Sequence, residues 1–187
     1  MEQNTRGEAS RTPEEGEGLH INSIVIPADE EQPLRENQLL TAGLKDRQQL
    51  VGGLIQGIDL MDPPARLYCN EEGKVLELPM NKRATLLLWV HNPAFTYRDV
   101  IVGDAFLVGP VGRRSTDTSV PDKYAERLFE ARRFRVEVKP DTDTEWHEHP
   151  EQFDQWTTAY EHALGWGIGL GGRQRRHIAA VRIVPGQ

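Results

Sequence analysis

The sequence predicts an α+β fold: a small mixed or antiparallel sheet with several short helices, preceded by a disordered N-terminal tail. Short apolar segments typical of strands alternate with segments whose apolar residues recur at helical spacing. Asn, Gly and Pro separate these segments at short intervals. With 187 residues, 37% of them hydrophobic, the chain can bury one substantial core.

Charge and cysteine content exclude several classes of protein. The net charge of -7 argues against general binding to nucleic acid or to membrane surfaces, because both require a cationic face. The single cysteine, Cys69, excludes an internal disulfide and a cysteine-based zinc cluster. No signal peptide or bilayer-length apolar run occurs, so we expect a cytoplasmic protein.

The chain is predicted to have three regions. Residues 1–18 are polar and are expected to form a disordered tail, since they cannot offset the entropy cost of ordering. Residues 19–110 are predicted to form the main α+β domain. Residues 111–187 are predicted to form a smaller helix–strand–helix–strand unit that packs on the first.

The N-terminal part is predicted as a strand, a loop and a helix. Apolar residues at 21–26 indicate a strand that stops at Pro27, which has no amide donor. Residues 28–38 are acidic and polar, which indicates a surface loop. Leu40, Leu44 and Leu50 predict a helix over 39–51, ended by two glycines.

A strand and a hairpin are predicted next. Residues 54–60 indicate a strand. Residues 65–69 and 74–78 are expected to pair around the turn at 70–73, because Asn and Gly tolerate the positive φ of tight turns.

Asn81 is predicted to cap a helix that stops before Pro93. The apolar run at 86–90 is short and continuous, so a buried strand is the alternative. Residues 100–108 predict a strand with a turn or bulge at Gly103.

The C-terminal part is predicted to contain two helices and two strands. Tyr124 and Leu128 indicate a short helix, and the alternation over 134–138 indicates a strand. A helix is predicted from Pro150 onward, and a last strand at 177–184.

Two catalytic patterns fit poorly. Gly167, Gly169 and Gly172 match a dinucleotide fingerprint, but a helix precedes them and a strand follows, which is the reverse of what the fingerprint needs. Cys69 could act as a nucleophile only with a base such as His91 nearby, and a buried thiol is the commoner role. The sequence predicts no cofactor and favours a non-enzymatic protein.

Two further clusters are candidate sites. His147 and His149 could bind a metal ion, completed by Glu145, Glu148 or His162, although an acidic loop with solvated histidines is the simpler interpretation. Arg173, Arg175 and Arg176 could bind an anionic small ligand, as could Arg113-Arg114.

Part of the chain resembles a known family. The matching residues are Val51-Gly52-Gly53-Leu54-Ile55, Asn70-Glu71-Glu72-Gly73-Lys74, Leu78, Asn81, Arg83-Ala84-Thr85, Val102-Gly103-Asp104 and Leu107-Val108-Gly109. Over roughly residues 50–110 they resemble a family of small domains of unknown function from actinobacteria, other bacteria, phages and plasmids. Gln56 stands where the pattern has an acidic residue.

The resemblance implies a mobile-element gene. Within it, Asn70, Glu71, Asn81 and Arg83 are candidate ligand-binding residues, and turn and cap roles for the two asparagines are the alternative. The leading hypothesis is a phage- or plasmid-type accessory protein that binds a host protein or assembles with itself, in the host cytoplasm if phage-encoded. The alternative is a module that sequesters an anionic metabolite or nucleotide.

Overall fold

The structure is a computed structural model that describes residues 19–113, 115–140, 144–165 and 178–185. These residues contain two antiparallel sheets, which confirms the predicted α+β class. The strands are β1 (His20–Ile26), β2 (Arg35–Leu40), β3 (Ile55–Met61), β4 (Pro64–Asn70), β5 (Ala105–Val108), β6 (Phe134–Pro140), β7 (His147–Phe153) and β8 (Ile178–Pro185). The first sheet has the order β2-β1-β5-β4-β3 and the second has the order β7-β6-β8.

The helices of the described residues are short. They are α1 (Leu44–Val51), α2 (Lys82–His91), α3 (Asp122–Ala125) and α4 (Trp156–Ala163), with a 3₁₀ turn at Pro93–Phe95 and a π-helical turn at Glu126–Glu130. The start of α2 is as predicted, because the Asn81 side chain accepts a hydrogen bond from the Ala84 N–H at 3.0 Å. Each helix is too short or too polar to cross a bilayer.

The central strand β5 explains how the layers are arranged. All four of its side chains are buried, and successive side chains point to opposite faces. Ala105 and Leu107 belong to a core cluster that includes side chains of α2, α4 and both sheets. Phe106 and Val108 belong to a second cluster with Val51 of α1. The first sheet therefore has α1 on one face, and α2, α4 and the second sheet on the other.

The prediction of a hairpin around residues 70–73 is wrong. The strand β4 pairs with β3 across the tight turn at Asp62-Pro63, and with β5 on its other side. Residues 71–77 form turns, and Val75 is 85% exposed. The prediction failed because the Asn and Gly that suit a hairpin turn also suit an irregular surface segment.

The boundaries at residues 28–51 also differ from the prediction. Part of the predicted loop and the start of the predicted helix form the edge strand β2, and α1 begins only at Leu44. Most side chains of β2 are exposed, so its sequence lacks the apolar alternation that signals a strand.

A third difference lies ahead of α4, where residues 147–153 form strand β7 rather than a loop and the start of a helix. Pro150 is tolerated because β7 is an edge strand that, among the described residues, pairs with β6 only.

The predicted boundary near residue 110 stays a prediction. One core cluster contains side chains from both predicted units, such as Leu67 from the first and Val136 from the second. The predicted tail at 1–18 and the glycine motif at 167–172 lie outside the described residues.

Candidate functional site

The two asparagines singled out in the sequence have structural partners in the interior. Asn81 also donates to the carbonyl oxygens of Ile26 at 2.8 Å and Gly103 at 3.0 Å. The Asn70 amide donates to the Val51 carbonyl at 3.2 Å, and its oxygen accepts from the Glu72 N–H at 2.8 Å. These contacts are those of a helix cap and a turn. Glu71 is exposed beside Asn70.

Arg83 makes hydrogen bonds to the backbone of the segment that follows β1. Its guanidinium donates to the carbonyl oxygens of Pro27 at 2.7 Å, Asp29 at 2.8 Å and Gln32 at 2.8 Å. Burial lowers the pKa of Arg83 from its ordinary value. Three N–H groups of the guanidinium are therefore used in contacts with the backbone. The other predicted anion-binding residues, Arg173, Arg175 and Arg176, lie outside the described residues.

A buried polar cluster, which the sequence did not indicate, centres on His91 at the end of α2. Its Nδ1 lies 2.5 Å from the Asp62 carbonyl oxygen, and its Nε2 lies 2.6 Å from the Tyr160 hydroxyl. Arg127 donates to the same hydroxyl at 3.1 Å. Burial, and secondarily the Arg127 cation, lowers the pKa of His91 to about 3. The imidazole is therefore neutral, and the cluster ties α2, α4 and the π-helical turn together.

Cys69 does not have the environment of a nucleophile. Burial raises the pKa of its thiol to about 11, so the thiol stays protonated at neutral pH. The side chain packs in the larger core cluster.

A second buried polar cluster lies on the α1 side of the first sheet. Arg47 donates to Asp117 at 3.2 Å, and the Tyr68 hydroxyl is 3.1 Å from both oxygens of the same carboxylate. Both ion-pair partners are buried. A cavity of about 450 Å³ opens beside them and includes Arg66 and Thr116 in its wall. The Arg47 charge is paired with Asp117, and the Arg66 charge is paired with Asp59 at 2.7 Å.

The structure brings His149 together with two residues of the metal-binding type. The Nε2 atoms of His149 and His162 are 3.4 Å apart, and Glu151 Oε2 is 3.5 Å from His162 Nε2. Burial, followed by the nearby His162, lowers the pKa of His149. His147 is exposed on the same strand and is not a member of this cluster. Glu148, another predicted ligand, is paired with Arg135 at 2.7 Å.

The outer side of α2 borders an apolar groove, here called the α2 groove, with a volume of about 450 Å³. Its apolar wall consists of Met80, Leu86, Trp89, Tyr97 and Leu164. The Trp89 and Tyr97 rings are in contact, with centroids 4.6 Å apart. The charged side chains Glu30, Lys82 and Glu161 also line it, and Lys82 and Glu161 form an ion pair at 2.7 Å.

Exposed apolar side chains continue beyond the groove. Val75 is 85% exposed, Leu76 55%, Met80 51% and Tyr97 46%. The segment 71–80 lies beside residues 97–103, because Met80 bridges to Val102 and Lys74 pairs with Asp99. Several large apolar side chains in one area mark an interaction surface more often than single exposed ones do. We call Val75, Leu76, Met80 and Tyr97 the apolar rim.

The fold and these features define an α+β protein with two antiparallel sheets and an apolar groove beside its central helix. Comparison with family models matches residues 21–132 to the domain of unknown function DUF3846, and the chain belongs to this family. The predicted resemblance is therefore confirmed, over a longer range than residues 50–110. No curated protein and no solved structure matches the chain.

Proposed function

We propose that the chain is a non-enzymatic protein that binds a partner through the α2 groove and the apolar rim. The occupant we propose is an amphipathic segment of another protein, with apolar side chains that enter the groove and basic residues beside them. The observation that carries this proposal is that the exposed side chains of Met80 and Tyr97 line an apolar groove. The exposed Val75 and Leu76 lie on the same segment, 71–80, as Met80.

The charge around the groove supports a basic partner. Lys82 in the groove is paired with Glu161, and Lys74 on the segment 71–80 is paired with Asp99. Taken together, the groove wall and this segment carry five glutamates, Glu30, Glu71, Glu72, Glu77 and Glu161, against these two lysines. This negative charge attracts a basic segment to the surface and disfavours an acidic one.

The backbone around the groove is strained at two positions. Tyr97 has φ of 56° and Glu77 has φ of 53°, a left-handed conformation that is uncommon for residues other than glycine. Such strain is found more often at functional sites than elsewhere. At Tyr97 it accompanies a ring that contacts Trp89 in the groove wall.

The cellular setting we propose is that of a phage- or plasmid-type accessory protein with a host protein as its partner, in the host cytoplasm. The family resemblance supports the mobile-element setting. Non-enzymatic binding is supported by the buried polar residues of α2 and its N-cap. The side chains of Asn81, Arg83 and His91 make hydrogen bonds to other elements of the fold.

The proposal is tested with two synthetic amphipathic peptides that share one apolar face, one with lysines and one with glutamates on the polar face. Fluorescence anisotropy is expected to show that the basic peptide binds and that added salt weakens the binding. Leu76→Asp and Tyr97→Asp should each weaken it by roughly tenfold or more, as for an apolar anchor.

The matched control is Met61→Asp, because Met61 is 64% exposed on β3 and lies outside the groove wall and the rim. Equal binding of both peptides, or an equal loss in all three variants, contradicts the proposal. Light scattering gives a further arm: a stable dimer that Leu76→Asp disrupts would make a second copy of the chain the occupant instead.

The alternative, a module for an anionic metabolite or nucleotide, is supported by the cavity beside Arg47 and Arg66. A thermal-shift screen with nucleotides and sugar phosphates tests it. A ligand at about a hundred times its dissociation constant stabilises the fold by about 2.7 kcal/mol. Arg66→Ala should remove that shift if the cavity is the site, and a screen without shifts counts against this alternative.

A further inference from the structure

We propose that His149, Glu151 and His162 bind a divalent metal ion of the zinc type. Of the residues that the structure describes, these three form the group whose ligand atoms all lie within 4.8 Å of one another. Two imidazoles and a carboxylate form a nitrogen and oxygen donor set that suits Zn²⁺. The site is separate from the α2 groove and does not depend on the function proposed for it.

The spacing of the ligand atoms is compatible with tetrahedral coordination. With metal–ligand distances of about 2.1 Å, neighbouring ligands are separated by about 3.4 Å in a tetrahedron and about 3.0 Å in an octahedron. The separation of the two imidazole Nε2 atoms is 3.4 Å, and that of His162 Nε2 and Glu151 Oε2 is 3.5 Å. Both values are close to the tetrahedral one, and the third pair, His149 and Glu151, lies within 4.8 Å.

The three side chains come from two neighbouring elements, β7 and α4. His149 and Glu151 are two residues apart on β7, where its register with β6 shifts, and the Glu151 N–H donates to His149 Nδ1. His162 lies on α4, and its ring contacts Phe153 with centroids 4.8 Å apart. A bound ion would therefore join β7 to α4. The Glu151 side chain is 63% exposed, so it can rotate toward the ion without disturbing the core.

Binding changes the hydrogen bonds of His149. Its contact with His162 Nε2 at 3.4 Å is replaced by bonds from both atoms to the ion. The Nδ1 atom of His149 accepts from the Glu151 N–H at 3.1 Å, so the neutral imidazole carries its proton on Nε2. When the ion takes Nε2, the proton moves to Nδ1 and this hydrogen bond is lost. A metal–nitrogen bond replaces it, and with three protein ligands a water molecule takes the fourth position.

The test uses the full chain without a histidine tag, freed of metal by a chelator and titrated with ZnCl₂ in a calorimeter. We expect binding at roughly micromolar Zn²⁺ with one ion per chain, and a rise in melting temperature that the chelator reverses. His162→Gln should weaken binding by more than about 100-fold, and Glu151→Gln by about 10-fold or more. Bound Co²⁺ should give the visible absorption of a tetrahedral ion.

The control is His147→Gln, which removes an exposed histidine two residues from His149 and should leave Zn²⁺ binding unchanged. Loss of binding in His147→Gln but not in His162→Gln would overturn the proposal in favour of the pair His147 and His149. An absence of heat and of a melting shift in the unaltered chain would also overturn it. Glu151→Gln keeps the test valid if His162→Gln fails to fold, because Glu151 is exposed.

Discussion

The inner and outer sides of α2 use their residues in opposite ways. On the inner side and at the ends of the helix, polar residues are buried and hydrogen-bonded: Asn81, Arg83 and His91 contact backbone or side-chain atoms of other elements. On the outer side, Trp89 and Leu86 border an open groove whose neighbours are exposed apolar side chains. The buried polar residues at α2 stabilise the fold, and the exposed apolar residues beside its outer side are available to bind a partner.

The largest expected effect concerns His91 on the inner side of α2. Its burial as a neutral imidazole should make the stability of the protein sensitive to acid. The folded pKa is about 3, below the ordinary 6.5 of the unfolded chain, so the unfolded state binds the extra proton between these values. Above pH 6.5 this group adds no pH dependence. Between pH 6.5 and 3 the free energy of unfolding should fall with decreasing pH by about 1.4 kcal/mol per pH unit.

Urea denaturation at a series of pH values measures this slope. His91→Gln keeps a donor and an acceptor but does not titrate, so its stability should vary less over the same range. An equal pH dependence in the two proteins would show that His91 is protonated in the folded state or that other groups dominate.

A matched pair of truncations tests the two sides of α2 directly. Leu88 is fully buried in the core, so Leu88→Ala should lower the free energy of unfolding by about 2–5 kcal/mol. Val75 is 85% exposed on the apolar rim, so Val75→Ala should change it by less than about 0.5 kcal/mol. Urea midpoints measure both. A large loss at Val75 would mean that the rim supports the fold and is not a free surface.

Asn81 allows the cap to be separated from its two interior hydrogen bonds. Asn81→Ser keeps an oxygen that can cap α2 but loses the donors to Ile26 and Gly103, and should cost about 1–3 kcal/mol. Asn81→Ala removes the cap as well and should cost about 1 kcal/mol more. Equal stabilities of the two variants, measured in urea, would assign the whole effect to the interior bonds.

The sequence predicted the parts of the fold that have local physical causes. The cap at Asn81 and the stop before Pro93 depend on neighbouring residues, and both were correct. β2 and β7 were missed because edge strands with exposed side chains, one containing Pro150, lack the apolar signal of a strand.

The candidate sites were harder to predict, because they depend on distant pairing. His149 and His162 were both noted in the sequence, but Glu151 was not, since its position beside His149 depends on the irregular path of β7 at these residues. The α2 groove combines Met80, Tyr97 and Leu164, whose proximity depends on the packing of three separate segments. The His91 cluster likewise joins residues from distant parts of the chain.

The smallest expected effect concerns the strained backbone on the outer side. Glu77 is exposed and has φ of 53°, where a side chain costs about 1–2 kcal/mol and glycine costs nothing sterically. Glycine also adds entropy to the unfolded chain, which offsets part of the gain, so Glu77→Gly should stabilise the protein by about 0.5–1 kcal/mol in urea denaturation. If Glu77→Gly stabilises the fold but weakens binding of the basic peptide, the Glu77 carboxylate contributes to binding at the expense of stability. Destabilisation by Glu77→Gly would instead show that this side chain supports the segment, and the contrast between the two sides of α2 would be weaker than proposed.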